Sequence, residues 1–80
     1  MLSKIEPDVT YDAGPTGCGE LIMNLFLSMR KMEKSQIIMV SSYDPGARED
    51  IPAWCRLQKH TLLGIDKKEK VWNYFIQKKS

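Results

Sequence analysis

Residues 18–40 read Cys-Gly-Glu-Leu-Ile-Met-Asn-Leu-Phe-Leu-Ser-Met-Arg-Lys-Met-Glu-Lys-Ser-Gln-Ile-Ile-Met-Val, and the hydrophobic period changes inside this stretch. Leu21, Ile22, Leu25, Phe26, Met29 and Met32 recur at helical spacing and make one continuous apolar stripe. Glu20 falls in the first turn, and Arg30, Lys31 and Lys34 fall in the last, so the charges complement the helix dipole at both ends. The spacing predicts a helix that opens at Cys18 and runs beyond Met32. Ile37-Ile38-Met39-Val40 follows without a polar residue, which suits a central strand covered on both sides or nearly so.

Upstream, Val9-Thr10-Tyr11 is β-branched and aromatic and predicts a strand. The glycines and proline of Asp12-Ala13-Gly14-Pro15-Thr16-Gly17 end it and bend the chain toward the helix. Downstream, Asp44-Pro45-Gly46 predicts a loop and Ala47 to Lys59 a second, weaker helix through Ile51, Trp54, Cys55 and Gln58. Pro52 is expected in the first turn of that helix, where a missing N–H costs nothing, with Glu49 or Asp50 favouring the N-terminus. Thr61 to Ile65 and Val71 to Ile76 predict an antiparallel hairpin joined by the charged turn Asp66-Lys67-Lys68-Glu69-Lys70.

The order is β-α-β-α-β-β, beginning with a right-handed βαβ unit. It predicts an α/β two-layer sandwich, a four-stranded mixed sheet with two helices on one face. Trp72, Tyr74 and Ile76 then share one side of the last strand, and Val71, Asn73 and Phe75 share the other.

Eighty residues, 42% hydrophobic and 28% charged, make one globular domain spanning 1–80 rather than a disordered chain. A domain of this size has a modest core, which favours a surface site over a deep cavity. The net charge is +2, with residues 1–40 at −1 and residues 41–80 at +3, and this does not require a polyanionic partner. Direct nucleic-acid binding is therefore not expected. Glu6 and Pro7 interrupt the start where a secretory signal needs an apolar run, and an apolar run such as Leu25-Phe26-Leu27 is far too short to cross a bilayer. The expectation is a cytoplasmic protein without a membrane association, whose two cysteines meet a reducing compartment.

Cys18 is the most informative of these residues. It sits in a small-residue turn immediately before an amphipathic helix, where unpaired N–H groups and the positive end of the dipole favour thiolate over thiol. Gly17 and Gly19 leave it uncrowded, while Glu20 opposes the effect if its carboxylate points at the sulfur. Cys55 lies on an apolar stripe beside Trp54 and reads as a small buried hydrophobe. His60, the single histidine, makes a nucleophile pair with Cys18 only if the fold brings them together. No Cys-x-x-Cys occurs, and one histidine with two separated cysteines falls short of a zinc set, so no structural metal is expected. Gly14, Gly17 and Gly19 have the wrong spacing for a phosphate-binding glycine loop.

Three segments carry a resemblance: Asp12-Ala13 ahead of Cys18, the run from Asp44-Pro45-Gly46 through Asp50-Ile51-Pro52-Ala53-Trp54-Cys55, and His60 with Leu62 and Leu63. Together with the element order, they resemble the TusA/SirA family of small sulfur-carrier proteins over nearly the whole chain. That family shows Asp-Ala-x-Gly-x-x-Cys-Pro-x-Pro at the first helix, with a persulfide on the cysteine. Here Cys18-Gly19-Glu20-Leu21 stands in place of Cys-Pro-x-Pro, and Pro15 stands at the signature glycine.

The resemblance implies a sulfurtransferase-like carrier. Cys18 would accept a sulfane sulfur from a cysteine desulfurase or a rhodanese-like sulfurtransferase and yield it to an acceptor protein. No cofactor is implied, and the family's pathways include tRNA thiolation and sulfur oxidation. Gly17, Gly19, Glu20, Asp44 and His60 are the candidate supporting or partner-contacting residues. Two other readings stand beside this one. The first is a noncatalytic interaction or regulatory module that keeps the fold. The second is a redox protein with a reversible Cys18–Cys55 disulfide, which needs Cα atoms within about 7 Å.

Overall fold

A computed structural model describes residues 5–79 of the chain, and Cys18 within it by its backbone alone. The elements are β1 (Val9–Gly14), α1 (Cys18–Arg30), β2 (Ile37–Ser42), α2 (Ala47–Gln58), β3 (Thr61–Lys68) and β4 (Val71–Gln77). They form the β-α-β-α-β-β mixed sheet that the alternation of periods predicts, in the spatial order β1-β2-β4-β3.

The pairing explains the layering. β1 and β2 run parallel, while β4 lies antiparallel to both β2 and β3. The α2 crossover therefore skips one strand position, which the returning β4 fills. Both crossovers step in the same direction across the sheet, so the same handedness puts both helices on one face. The core bears this out. Leu21, Leu25 and Met29 of α1, Ala47, Ile51, Trp54 and Cys55 of α2, and the alternate strand residues Ile38, Val40, Tyr74 and Ile76 share one buried cluster.

On the opposite face Phe75 is also buried, beside its register partners Met39 and Gly64. β2 alternates buried and half-buried residues along its length, so it is fully covered only on the helix side.

Several boundaries differ from the sequence reading, although β4 starts at Val71 as expected. α1 stops at Arg30, because the N–H groups of Lys31 and Met32 bond back to Ser28 and Met29 in a tightening last turn. Met32 still reaches the core from the turn beyond the helix.

Pro52 lies in the second turn of α2, not the first. The Asp44 turn feeds three tight bonds, from the Ala47, Arg48 and Glu49 N–H groups to the carbonyls of Asp44, Pro45 and Gly46, and these wind the helix several residues ahead of the proline. The ring then sits where its nitrogen has no hydrogen to offer the Arg48 carbonyl. Finally, β3 extends to Lys68 and β4 starts at Val71, which shrinks the five-residue charged turn to Glu69-Lys70, with Glu69 at φ 58°.

Candidate functional site

β1 and β2 are parallel neighbours, so the loops leaving their carboxyl ends lie side by side, and helices α1 and α2 both start there. This is where open α/β sheets hold their sites. Hydrogen bonds tie the two loops. Asp12 accepts the Gly14 N–H on Oδ1 at 3.0 Å, and the Ala13 carbonyl accepts the Thr16 N–H at 3.1 Å. The Gly14 carbonyl then accepts the Tyr43 N–H at 3.0 Å, which joins the first loop to the second. Gly14 has φ 56°, a left-handed conformation that favours glycine. That turn immediately precedes Pro15, the position where the resembling family's signature carries its glycine.

Asp44 organises the second loop. Its N–H donates to Ser42 Oγ at 3.0 Å, its Oδ1 accepts the Gly46 N–H at 3.0 Å, and its carbonyl accepts the Ala47 N–H at 3.1 Å. Its observed part is therefore a turn that starts α2.

Cys18 is the first residue of α1, and Gly17 is the N-cap, extended and without a side chain to cap the helix. The first intrahelical bond belongs to the Leu21 N–H, donated to the Gly17 carbonyl at 2.9 Å. The N–H groups of Cys18, Gly19 and Glu20 thus precede the helical ladder and carry the positive end of its dipole. Such a terminus stabilises an anion, and a cysteine at its first position gains from that as a thiolate or as a persulfide anion. Glu20 is exposed in the same turn, and Glu49 and Asp50 occupy the first turn of α2, so carboxylates share this end of the molecule.

The two departures at Gly19 and Leu21 differ in kind. Gly19 is exposed, a Cβ built there meets nothing within 4 Å, and its N–H lies ahead of the ladder. Leu21 is fully buried in the core and donates the first helical bond. Leucine at 21 adds apolar packing that a proline could not supply. Glycine at 19 adds only freedom.

Next to Gly19 an open groove of ≈ 380 Å³ runs between the helices, lined by Ile22, Ala53, Trp54 and Leu57 with Asp50 at its rim. Leu57 is 76% exposed, the most exposed large hydrophobic among the described residues. The sequence reading followed Ile51, Trp54, Cys55 and Gln58 and passed over Ala53 and Leu57. Their i, i+4 spacing on the next face of α2 was the available signal. A second contact at this end sets Arg48 4.5 Å and Lys67 5.1 Å from the Trp72 ring centre: Lys67 is the register partner of Trp72 in the β3–β4 hairpin, whereas the Arg48 contact is not legible in the sequence, because β4 meets α2 only in three dimensions.

His60 lies elsewhere. It follows the C-terminus of α2 and shares a cavity with Met29 and Arg30 from the far end of α1, about 18 Å along that helix from Cys18. A Cys18–His60 nucleophile pair is therefore not assembled. Its Nδ1 accepts the Lys79 N–H at 3.3 Å, and its ring packs 5.5 Å from Trp54. Burial, and then the positive charge of Lys78, push the imidazole below its ordinary pKa.

Cys55 is buried on the core side of the third turn of α2, and burial pushes its thiol up to about 11 against a small opposing pull from Arg56. Cys55 is a free thiol. Among the described residues, no group of three or more histidine, cysteine or acidic side chains gathers to hold a metal, and no helix is long and apolar enough to cross a membrane. Residues 9–78 match the family model described as "Sulfurtransferase TusA".

Proposed function

Since the chain belongs to the TusA sulfurtransferase family, we propose that it is a sulfur carrier loaded as a persulfide on Cys18. Membership of the family implies a sulfur-carrier role and protein partners. The finer reading rests on the position of Cys18, first residue of α1 behind a glycine N-cap, where the free N–H groups favour a negatively charged sulfur.

The relay is balanced without a cofactor. The Cys18 thiolate attacks the outer sulfur of a donor cysteine persulfide, a new S–S bond forms on Cys18, the donor's S–S bond breaks, and the donor departs as a thiolate. An acceptor thiolate repeats the exchange in the other direction, and Cys18 returns to its starting state. The donor is a cysteine desulfurase or another sulfurtransferase, and the acceptor is a protein on a route such as tRNA thiolation or sulfur oxidation. A reducing, cytoplasmic setting keeps the resting thiol free.

The open groove beginning at Gly19, the next residue after Cys18, gives each partner's cysteine-bearing segment an apolar seat at this end of α1. The surface at Gly17 and Gly19 is open, since a Cβ added at either meets no atom within 4 Å outside its chain neighbours.

The test is intact mass after the reduced protein is incubated with a cysteine desulfurase and cysteine, in wild-type, Cys18→Ser and Cys55→Ser forms. The carrier gains one sulfur in wild type and Cys55→Ser and none in Cys18→Ser. If natively folded wild type gains nothing from several donors, the carrier reading fails. The chain is then a binding module that has kept the fold, a reading that the freedom of Gly19 in the first helical turn favours.

A further inference from the structure

The charges divide the molecule between its two ends. Among the described residues, the end carrying Cys18 (residues 12–20, 42–50 and 66–71) holds four lysines and arginines against seven carboxylates. At the other end, residues 5–8, 30–37, 56–61 and 77–79 hold seven cations against three carboxylates, Glu6, Asp8 and Glu33. Cations at helix C-termini ordinarily do no more than complement the dipole. Lys78 does this work here, its Nζ donating to the Met32 carbonyl at 2.6 Å just beyond α1.

That bond uses one of the three ammonium donors, and Lys78 also lines a separate feature. A cavity of ≈ 190 Å³ opens between the ends of α1 and α2, lined by Phe26, Met29, Arg30, Gln58, His60 and Lys78, with no acidic side chain in its wall. Arg30 stands over the Phe26 ring at 5.8 Å, its one described side-chain contact. Because His60 Nδ1 accepts the Lys79 N–H, the neutral ring carries its proton on Nε2 and is a donor there. A second, shallower hollow lies on the other side of Arg30, between Leu27 and Lys31. Leu27 and Phe26 are both exposed. The surface thus alternates apolar patches with positive charge.

We propose that this end of the molecule docks an acidic segment of a partner protein. Its carboxylates engage Arg30, Lys31 and the His60–Lys78 rim, and an apolar side chain between them rests on Phe26 and Leu27. Charge complementarity selects the sign of the partner. The exposed apolar groups select peptide over nucleic acid, because a phosphate backbone has nothing to place on Leu27 and Phe26. If Cys18 carries sulfur, as proposed above, a partner held here leaves the sulfur end free for a second protein.

The test uses Cys18→Ser protein, so that its outcome does not depend on sulfur loading. The probe is a fluorescent dodecapeptide of alternating Glu-Glu-Leu triplets, titrated at low salt, with amide shifts mapped in parallel. Controls are the same peptide with glutamine for glutamate and a single-stranded RNA dodecamer. The expected result is saturable binding of the acidic peptide alone, with shifts centred on Phe26, Arg30, Gln58 and His60. Arg30→Gln, at an exposed position, should weaken it about tenfold without disturbing the fold. Failure to saturate at millimolar peptide, equal binding of the glutamine peptide, tighter binding of RNA at the same residues, shifts centred on the Cys18 end, or an unchanged affinity in Arg30→Gln would each overturn the proposal.

Discussion

The first turn of α1 and the third turn of α2 each carry a cysteine, and the two thiols live under opposite physics. Cys18 opens a helix whose leading N–H groups have no helical acceptor, in a loop of small residues. Cys55 is 2% exposed among Ile51, Trp54 and the strand residues of the core. Burial holds the Cys55 sulfur toward the neutral thiol, whereas the function proposed for Cys18 needs the anion that the leading N–H groups of a helix favour. Residue type says nothing about which is reactive. Backbone position does.

The largest consequence is in reactivity. With its thiol pushed from 9.0 to about 11, Cys55 has about one-hundredth of the ordinary thiolate fraction at pH 8, before burial further limits access. Alkylation of the native protein with iodoacetamide should therefore stop at one adduct, on Cys18. Cys55 should react only after denaturant is added, at least about 100-fold more slowly in the native state. Peptide mapping of the adducts checks this, and two adducts at comparable rates would erase the contrast.

The same shift makes a stability prediction of intermediate size. The folded Cys55 holds its proton to about pH 11, whereas the unfolded thiol releases it near 9.0. Between those values the unfolded chain binds fewer protons, so the contribution is complete below pH 9 and is lost as pH rises through 11. Denaturant unfolding of wild type and Cys55→Ala across this window should show an excess loss in wild type of about 2 kcal/mol. Parallel pH curves would mean that the folded thiol ionises like the free one.

Much of this contrast was legible in the sequence. The stripe from Leu21 to Met29 and the polar-free Ile37–Val40 run fixed the helix and its neighbouring strand, because periodicity reports which faces are covered. The Cys18 position followed from the glycines around it, and Cys55 from its place beside Trp54. What escaped was set by contacts distant in sequence. The end of α1 at Arg30 depends on bonds in a turn that leaves Met32 buried beyond the helix. Pro52 was misplaced because the Asp44 turn winds helix ahead of it. The distance between His60 and Cys18 followed only once both helices were known to run the same way from one end of the sheet. The groove beside Gly19 needed α1 and α2 to be seen together, since neither Ile22 nor Leu57 announces a site alone.

The smallest effect lies at Gly19 itself and sharpens the contrast from the Cys18 side. Gly19 is the second residue of α1, ahead of the first hydrogen-bonded N–H, so a proline there forfeits no helical bond. A Cβ at this position meets open space. Gly19→Pro should then stabilise the fold by about 0.4–1 kcal/mol, acting mainly by restricting the unfolded chain. It gives up the N–H of residue 19, one of the three leading donors, but narrows the directions in which the first turn holds the other two, and the second effect is expected to favour the charged sulfur. The alkylation rate of Cys18 against pH should accordingly shift its midpoint toward acid while Cys55 stays silent. A stabilised variant with an unmoved midpoint would show that the freedom of the first turn does not govern the cysteine. A destabilised one would show that residue 18 needs the helical conformation a following proline resists.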